Sequence, residues 1–98
     1  MNLRLHRLAV EEIDYEVDYY ESFQSGLGTE LQLAVDASLE LILQFPNAGS
    51  PWKHRENRRI LVLERFPFML PYQIVGEVIY VLALAHMRRR PGYWSRRG

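Results

Sequence analysis

Apolar and polar positions alternate over residues 2–7, with Leu3 and Leu5 pointing one way and Arg4 and His6 the other. A period of two is that of a strand with one buried face. The run is short and terminal, which places it near a sheet edge. From residue 9 the period lengthens. Ile13, Val17 and Tyr20 recur at i, i+4 and i+7 over 9–24, with Tyr15 and Tyr19 beside them and acids elsewhere. That spacing predicts an amphipathic helix. Glu11 and Glu12 fall in its expected first turn, where the helix dipole favours negative charge. Ser25-Gly26-Leu27-Gly28 ends it, glycine being the usual C-terminal stop. Thr29 is the expected N-cap of a second helix over 29–45. There Leu31, Ala34, Val35, Ser38, Leu39 and Ile42 form a stripe widened by Leu33, Ala37 and Leu41, so this helix is the more buried. Pro46 closes it.

Residues 46–57 are a loop by composition, with two prolines and a glycine among polar residues. Three strand-like runs follow: Arg58–Arg65, Phe68–Val75 and Val78–Ala85. Pro67 and Gly76-Glu77 mark hairpin-short turns between them. The last run is apolar on both faces, which predicts the central strand. Pro71 cannot donate a ladder hydrogen bond, so its strand is an edge there or carries a bulge. The order is β-α-α-β-β-β. It reads as a two-layer α+β fold, an α-hairpin packed on one face of a mainly antiparallel four-stranded sheet. The length of 98 residues fits a single domain spanning 1–98.

Composition adds exclusions. The chain has no cysteine, so disulfides and thiolate metal sites are out and a reducing compartment is expected. No apolar run approaches the about 20 residues of a membrane span. The basic N-terminus meets acids at once, unlike a signal peptide. Formal net charge is zero, yet the charge is segregated. Residues 1–50 carry two arginines and nine acids, a balance of −7; residues 51–98 carry ten bases and three acids, a balance of +7. Asymmetry of this kind points to a polyanion or an acidic partner for the second half. Eleven of the twelve bases are arginine, the better residue for planar contacts to phosphate or carboxylate.

Several segments together resemble the RelE/ParE superfamily of bacterial type II toxin–antitoxin toxins. They are DYYES closing the first helix, GLGTEL at the helix–helix turn, LILQFPNAGSP, RRILVLERFPF, and VIYVLALAHMRRRPGYW at the end. They span nearly the whole chain in order, and their wording is closest to the ParE-like, plasmid-stabilisation branch. The resemblance implies a small cytoplasmic toxin held by an antitoxin from the adjacent gene in a hetero-oligomer, with no cofactor. It leaves three functions open. The first is inhibition of DNA gyrase and replication without hydrolytic chemistry. The second is ribosome-dependent cleavage of messenger RNA. The third is a degenerate toxin that only binds its antitoxin. One departure stands out: the family commonly carries an aromatic-Tyr-Arg run in the third strand, and this chain has Pro71-Tyr72-Gln73.

Metal-free RNA cleavage needs a base, cations at the phosphorane and an acid for the leaving oxygen. His86 at a strand end is the acid/base candidate, because an imidazole titrates near neutrality. Tyr93 is a possible proton donor and Arg65 a cation. The plainer reading of His86 is a strand-end histidine bonded to a backbone carbonyl. For target or nucleic-acid contact the candidates are Arg58, Arg59, Arg88, Arg89, Arg90 and Trp94. Their plainer readings are an edge-strand guard for the first two, a solvated charge run for the next three, and an aromatic cover over the sheet end for Trp94. Arg65, Tyr72, Arg88 and Arg89 are expected to meet the antitoxin. Arg59 and Arg65 share a parity opposite to Arg58. The sheet face away from the helices is the expected place for a site, with Arg65 beside His86 if it lies there. His6 and His54 have no partner at ligand spacing, so no metal site is expected.

Overall fold

The computed structural model describes all residues from Met1 to Gly98. The elements are β1 (Asn2–Leu5), α1 (Arg7–Phe23), α2 (Leu27–Gln44), β2 (Ser50–Pro51), β3 (Arg58–Val62), β4 (Phe68–Val75), β5 (Val78–Val81) and β6 (Ala85–His86). The class is the α+β expected, but the sheet has six strands rather than four. Its order is β1-β5-β4-β3-β2, with β6 also paired to β4. All pairs are antiparallel except β1 with β5. The first extra strand is a two-residue pairing of the loop with β3. The second comes from division of the last run.

That division has its cause at Pro71. Tyr72 pairs with Val81 and Met69 with Ala85, so Leu70-Pro71 faces three residues, Leu82-Ala83-Leu84. The extra residue is a bulge. Pro71 turns its carbonyl to this side and accepts from the Leu82 N–H at 2.8 Å. An N–H there would point the same way, and proline has none. In this sheet order β4, not the last run, is the middle strand.

Both helices begin earlier than periodicity predicts. His6 caps α1, its Nδ1 accepting from the Leu8 N–H at 3.0 Å. Glu11 and Glu12 therefore sit beyond the first turn. At α2 the N-cap is Gly26, with φ of 91°, rather than Thr29. The capping acceptor comes from the neighbouring helix: Glu21 accepts from the N–H groups of Gly26 and Gly28, both at 2.9 Å. These backbone bonds hold the Glu21 carboxyl below the ordinary range. Gly28 is where the helices meet, since a Cβ there would lie 2.5 Å from the Val17 carbonyl oxygen.

The sheet is covered on both faces. Alternate residues of β4 (Phe68, Leu70, Tyr72) pack with Ile13, Leu31, Val35 and Ile42 of the helices. The intervening parity, represented by Met69, joins Leu82, Ala83, Ala85, Trp52 and Trp94. Residues 87–98 thus fold back as a third layer over the face away from the helices, with Trp94 only 2% exposed. The chain has no helix long and apolar enough to cross a membrane.

Candidate functional site

The largest cavity, about 370 Å³, lies where α1 passes the end of the sheet and the returning tail. Glu12, Glu16, His86, Arg89, Tyr93 and Arg97 line it, with apolar walls from Leu8 and Leu84. This cavity is not on the sheet face away from the helices, where Trp94 and its neighbours pack and a smaller pocket of about 140 Å³ remains.

Glu12 organises this cavity. Its Oε1 accepts from the Leu84 N–H of the bulge at 3.2 Å and from Arg97 at 2.9 Å. Its Oε2 accepts from the Tyr93 hydroxyl at 2.8 Å and from the second Arg97 nitrogen at 3.0 Å. Arg89 adds an ion pair at 3.8 Å and lies 3.9 Å over the Tyr93 ring. Burial and the hydrogen bond to Glu12 push the Tyr93 phenol up to about 12. At Arg97 burial works against the charge, but the hydrogen bonds and charge of Glu12 outweigh it and hold the guanidinium above its ordinary range. Burial also raises the Glu16 carboxyl, with Glu12 adding to the shift and the charges of His86 and Arg89 opposing it. In the sequence Glu12 is one acid among many on the first helix. Its partners lie 72 to 85 residues away, where no periodic signal reaches.

His86 reaches the same cavity. Its Nδ1 accepts from the Arg88 N–H at 3.0 Å, and its ring meets Phe68 edge-on at 5.3 Å. It is thus a strand-end histidine bonded to backbone, though to an amide rather than a carbonyl. Arg65 is not with it. β3 ends at Val62, so strand parity does not carry to residue 65. Arg65 instead donates to Glu30 of α2 at 2.7 Å and lines a separate groove with Ala34, Leu41 and Val62.

Four other candidates are engaged by the fold. Arg58 is 2% exposed. It donates to Gln73 Oε1 at 3.0 Å, the Ser95 carbonyl at 2.6 Å and the Arg97 carbonyl at 2.9 Å. Its guanidinium carbon lies about 6 Å from the Trp52 and Trp94 rings, within cation–π range. Burial, with Arg55 nearby, lowers its pKa. The Pro71-Tyr72-Gln73 departure fits this setting: Gln73 supplies an acceptor to Arg58, where an arginine would bring a second cation. Arg59 donates to the carbonyls of Asn47 and Gly49, pinning the loop rather than guarding an edge. Tyr72, fully buried, donates to the Pro46 carbonyl and accepts from the Gly49 N–H. Trp94 is buried in the tail layer. None of Arg58, Tyr72 or Trp94 offers its side chain to a partner in this conformation. Arg88 and Arg90 do, being exposed.

The fold, an α-hairpin on a mixed sheet, is similar to that of a solved chain described as "Chromosomal ParDE TA system from P. aeruginosa". The match has a TM-score of 0.75 at 24% identity and covers 90% of this chain and 97% of that one. A family model, ParE toxin of type II toxin–antitoxin system, parDE, matches residues 3–91. The chain therefore belongs to the ParE toxin family of the RelE/ParE superfamily. No curated protein matches its sequence.

Proposed function

We propose that this toxin arrests growth by inhibiting DNA gyrase through protein contact, without hydrolytic chemistry, and that a cognate antitoxin with an acidic segment neutralises it. The observation that carries this reading is the Glu12 cluster. A ribonuclease site needs free cations where phosphorane charge develops. Of the two arginines that line the cavity with His86, Arg97 is held by Glu12 at 2.9 Å and Arg89 pairs with it more loosely at 3.8 Å, and three carboxylates (Glu11, Glu12, Glu16) line the same cavity. Such a cavity repels a phosphate. Tyr93, with its proton held by a carboxylate and its pKa near 12, is a poor acid at neutral pH. The exposed Arg88 and Arg90 remain for the target or the antitoxin, where arginine forks suit carboxylates.

Expression of the chain alone is expected to stop growth, and the adjacent open reading frame to relieve the arrest. Purified gyrase is expected to lose supercoiling activity in its presence while ribosome-bound messenger stays intact. His86→Gln keeps toxicity under this reading, and Arg88→Glu with Arg90→Glu removes it. Messenger cleavage with untouched supercoiling would establish the endoribonuclease instead. Absence of arrest at any expression level would mark a degenerate toxin.

A further inference from the structure

His86 opens the turn that carries Arg88 and Arg90, and it ties that turn twice. Its carbonyl accepts from the Arg89 N–H at 3.0 Å. Its ring Nδ1 accepts from the Arg88 N–H, also at 3.0 Å. A side chain accepting from the amide two residues on is how asparagine and aspartate order turns. Histidine can do this only while Nδ1 carries no proton, because an imidazolium has two N–H donors and no acceptor. Little else holds the turn. Residues 87–90 are all exposed. The Met87 N–H reaches the Pro67 carbonyl at 2.9 Å, while Arg88 and Arg90 make no ion pair. His6 makes the same bond to the Leu8 N–H, but a 17-residue helix follows it, and packing of that helix holds its start.

We propose that His86 is a proton-operated clasp on residues 87–90: the neutral ring orders the turn that presents Arg88 and Arg90, and the protonated ring releases it. The surroundings admit the proton. From α1 the carboxylates of Glu11, Glu12 and Glu16 and the Tyr15 phenol line the cavity beside the ring; from the tail Arg89, Arg97 and Tyr93 do. Arg90 lies on the other side, in the smaller pocket, and β4 offers only the uncharged Phe68 ring. Arg7 takes Glu11, and Arg97 and Tyr93 are spent on Glu12. Glu16 has no ion pair and feels the charge of His86. The incoming proton goes to Nδ1, the nitrogen that holds Arg88, so the two cannot coexist. The ring stands between two cavities, of about 370 and 140 Å³, and has room to turn away. Because the bond to Arg88 is exposed, water takes the freed N–H. The change is therefore in the order of the turn, not in the stability of the fold. A partner gripping an ordered turn pays less to bind it; that consequence rests on the reading that Arg88 and Arg90 meet a partner. The order of the turn is measurable with no partner present, so the clasp can fail while that reading stands, and the reverse.

Nuclear magnetic resonance of the full-length chain from pH of about 8 down to about 5, the range in which histidines take up a proton, tests this. At the upper end the ring nitrogens are expected to report the tautomer with its proton on Nε2. As the His86 ring titrates, the Arg88 amide proton is expected to shift upfield with the same midpoint. Backbone order parameters over residues 88–90 are expected to fall from near the rigid value of about 0.85 toward about 0.6. His86→Asn places an amide oxygen where Nδ1 stands and does not titrate; it is expected to keep the turn ordered at both ends of the range. His86→Leu removes the acceptor and is expected to leave the turn loose at both, with the amide spectrum of the rest of the chain unchanged. A proton on Nδ1 at the upper end, an Arg88 amide indifferent to the ring's titration, or a pH response retained in His86→Asn would each overturn the proposal. So would a His86→Leu turn as ordered as that of the unsubstituted chain.

Discussion

The two faces of the sheet are held by different physics. On the helix side twelve buried apolar side chains form one cluster; on the tail side the cluster has four. Four cannot offset the cost of ordering a twelve-residue tail at about 1–2 kcal/mol per residue of backbone alone. The tail layer therefore leans on two polar anchors, Arg58 reaching up to its carbonyls and Glu12 reaching across from α1. Apolar burial is non-directional and tolerates similar shapes. The anchors depend on charge and on donor geometry, so small chemical changes should undo them.

The largest effect is expected where apolar burial dominates. Phe68 is fully buried between the helices and the sheet, and Phe68→Ala should lower global stability by about 3–5 kcal/mol. Denaturant unfolding checks it, and the whole chain should shift as one transition. Arg58→Met tests the other face. It keeps an apolar stem but strands the carbonyls of Ser95 and Arg97 and the Gln73 amide oxygen. A loss of about 2–4 kcal/mol is expected from one buried and two partly buried acceptors left without a donor. Hydrogen exchange should show it concentrated in residues 87–98. Equal exchange across both faces would mean that the tail is not a separate layer in energetic terms.

The same contrast explains what was legible in the sequence. Elements with a local period were: the α-hairpin, the three sheet runs and the parity that parts Arg58 from Arg59. Pro71 marked where the ladder is interrupted, because a missing N–H is a local fact, but the extra residue lies on the opposite run, in Leu82-Ala83-Leu84, and not on the strand of Pro71 as expected. Element starts were less legible, because the caps came from residues outside the usual set, an imidazole at His6 and a carboxylate, Glu21, lent by the preceding helix. The candidate site was the least legible part. Arginine-rich strings read alike whether exposed or buried. Only the fold distinguishes Arg88, open to solvent, from Arg58 beneath Trp94, or Glu12 from its acidic neighbours. The segregated charge of −7 and +7 therefore overstates the molecule's polarity, since Glu12 and Glu30 already meet Arg97, Arg89 and Arg65.

A smaller effect is expected from pH. Tyr93 is held up to about 12 in the folded chain, against about 10 when unfolded. Below pH 10 both states keep the proton and the stabilisation is fully present. As pH rises from 10 to 12 the unfolded chain loses its proton first, so stability drains away across that window. Ultraviolet titration of the phenolate, compared with Tyr93→Phe, locates the group. Glu12→Gln removes the charge that favours the protonated phenol and turns one carboxylate oxygen into a donor, so the Tyr93 titration should move down. It should also cost about 1–3 kcal/mol through the poorly matched Arg97.

The smallest effect belongs to the pair that looks most like an interaction on paper. Arg65 and Glu30 join α2 to the end of β3 at 2.7 Å, but their side chains are 67% and 43% exposed. Water and salt screen such a pair, and holding two long side chains costs entropy, so its worth is about 0–1 kcal/mol. Arg65→Ala should barely move the unfolding midpoint at moderate salt. Arg97 and Glu12 meet at a similar distance, 2.9 Å, with side chains only 14% and 17% exposed. If Arg65→Ala cost as much as Glu12→Gln, distance rather than burial would be setting the energy, and the division between the two faces would fail at its simplest point.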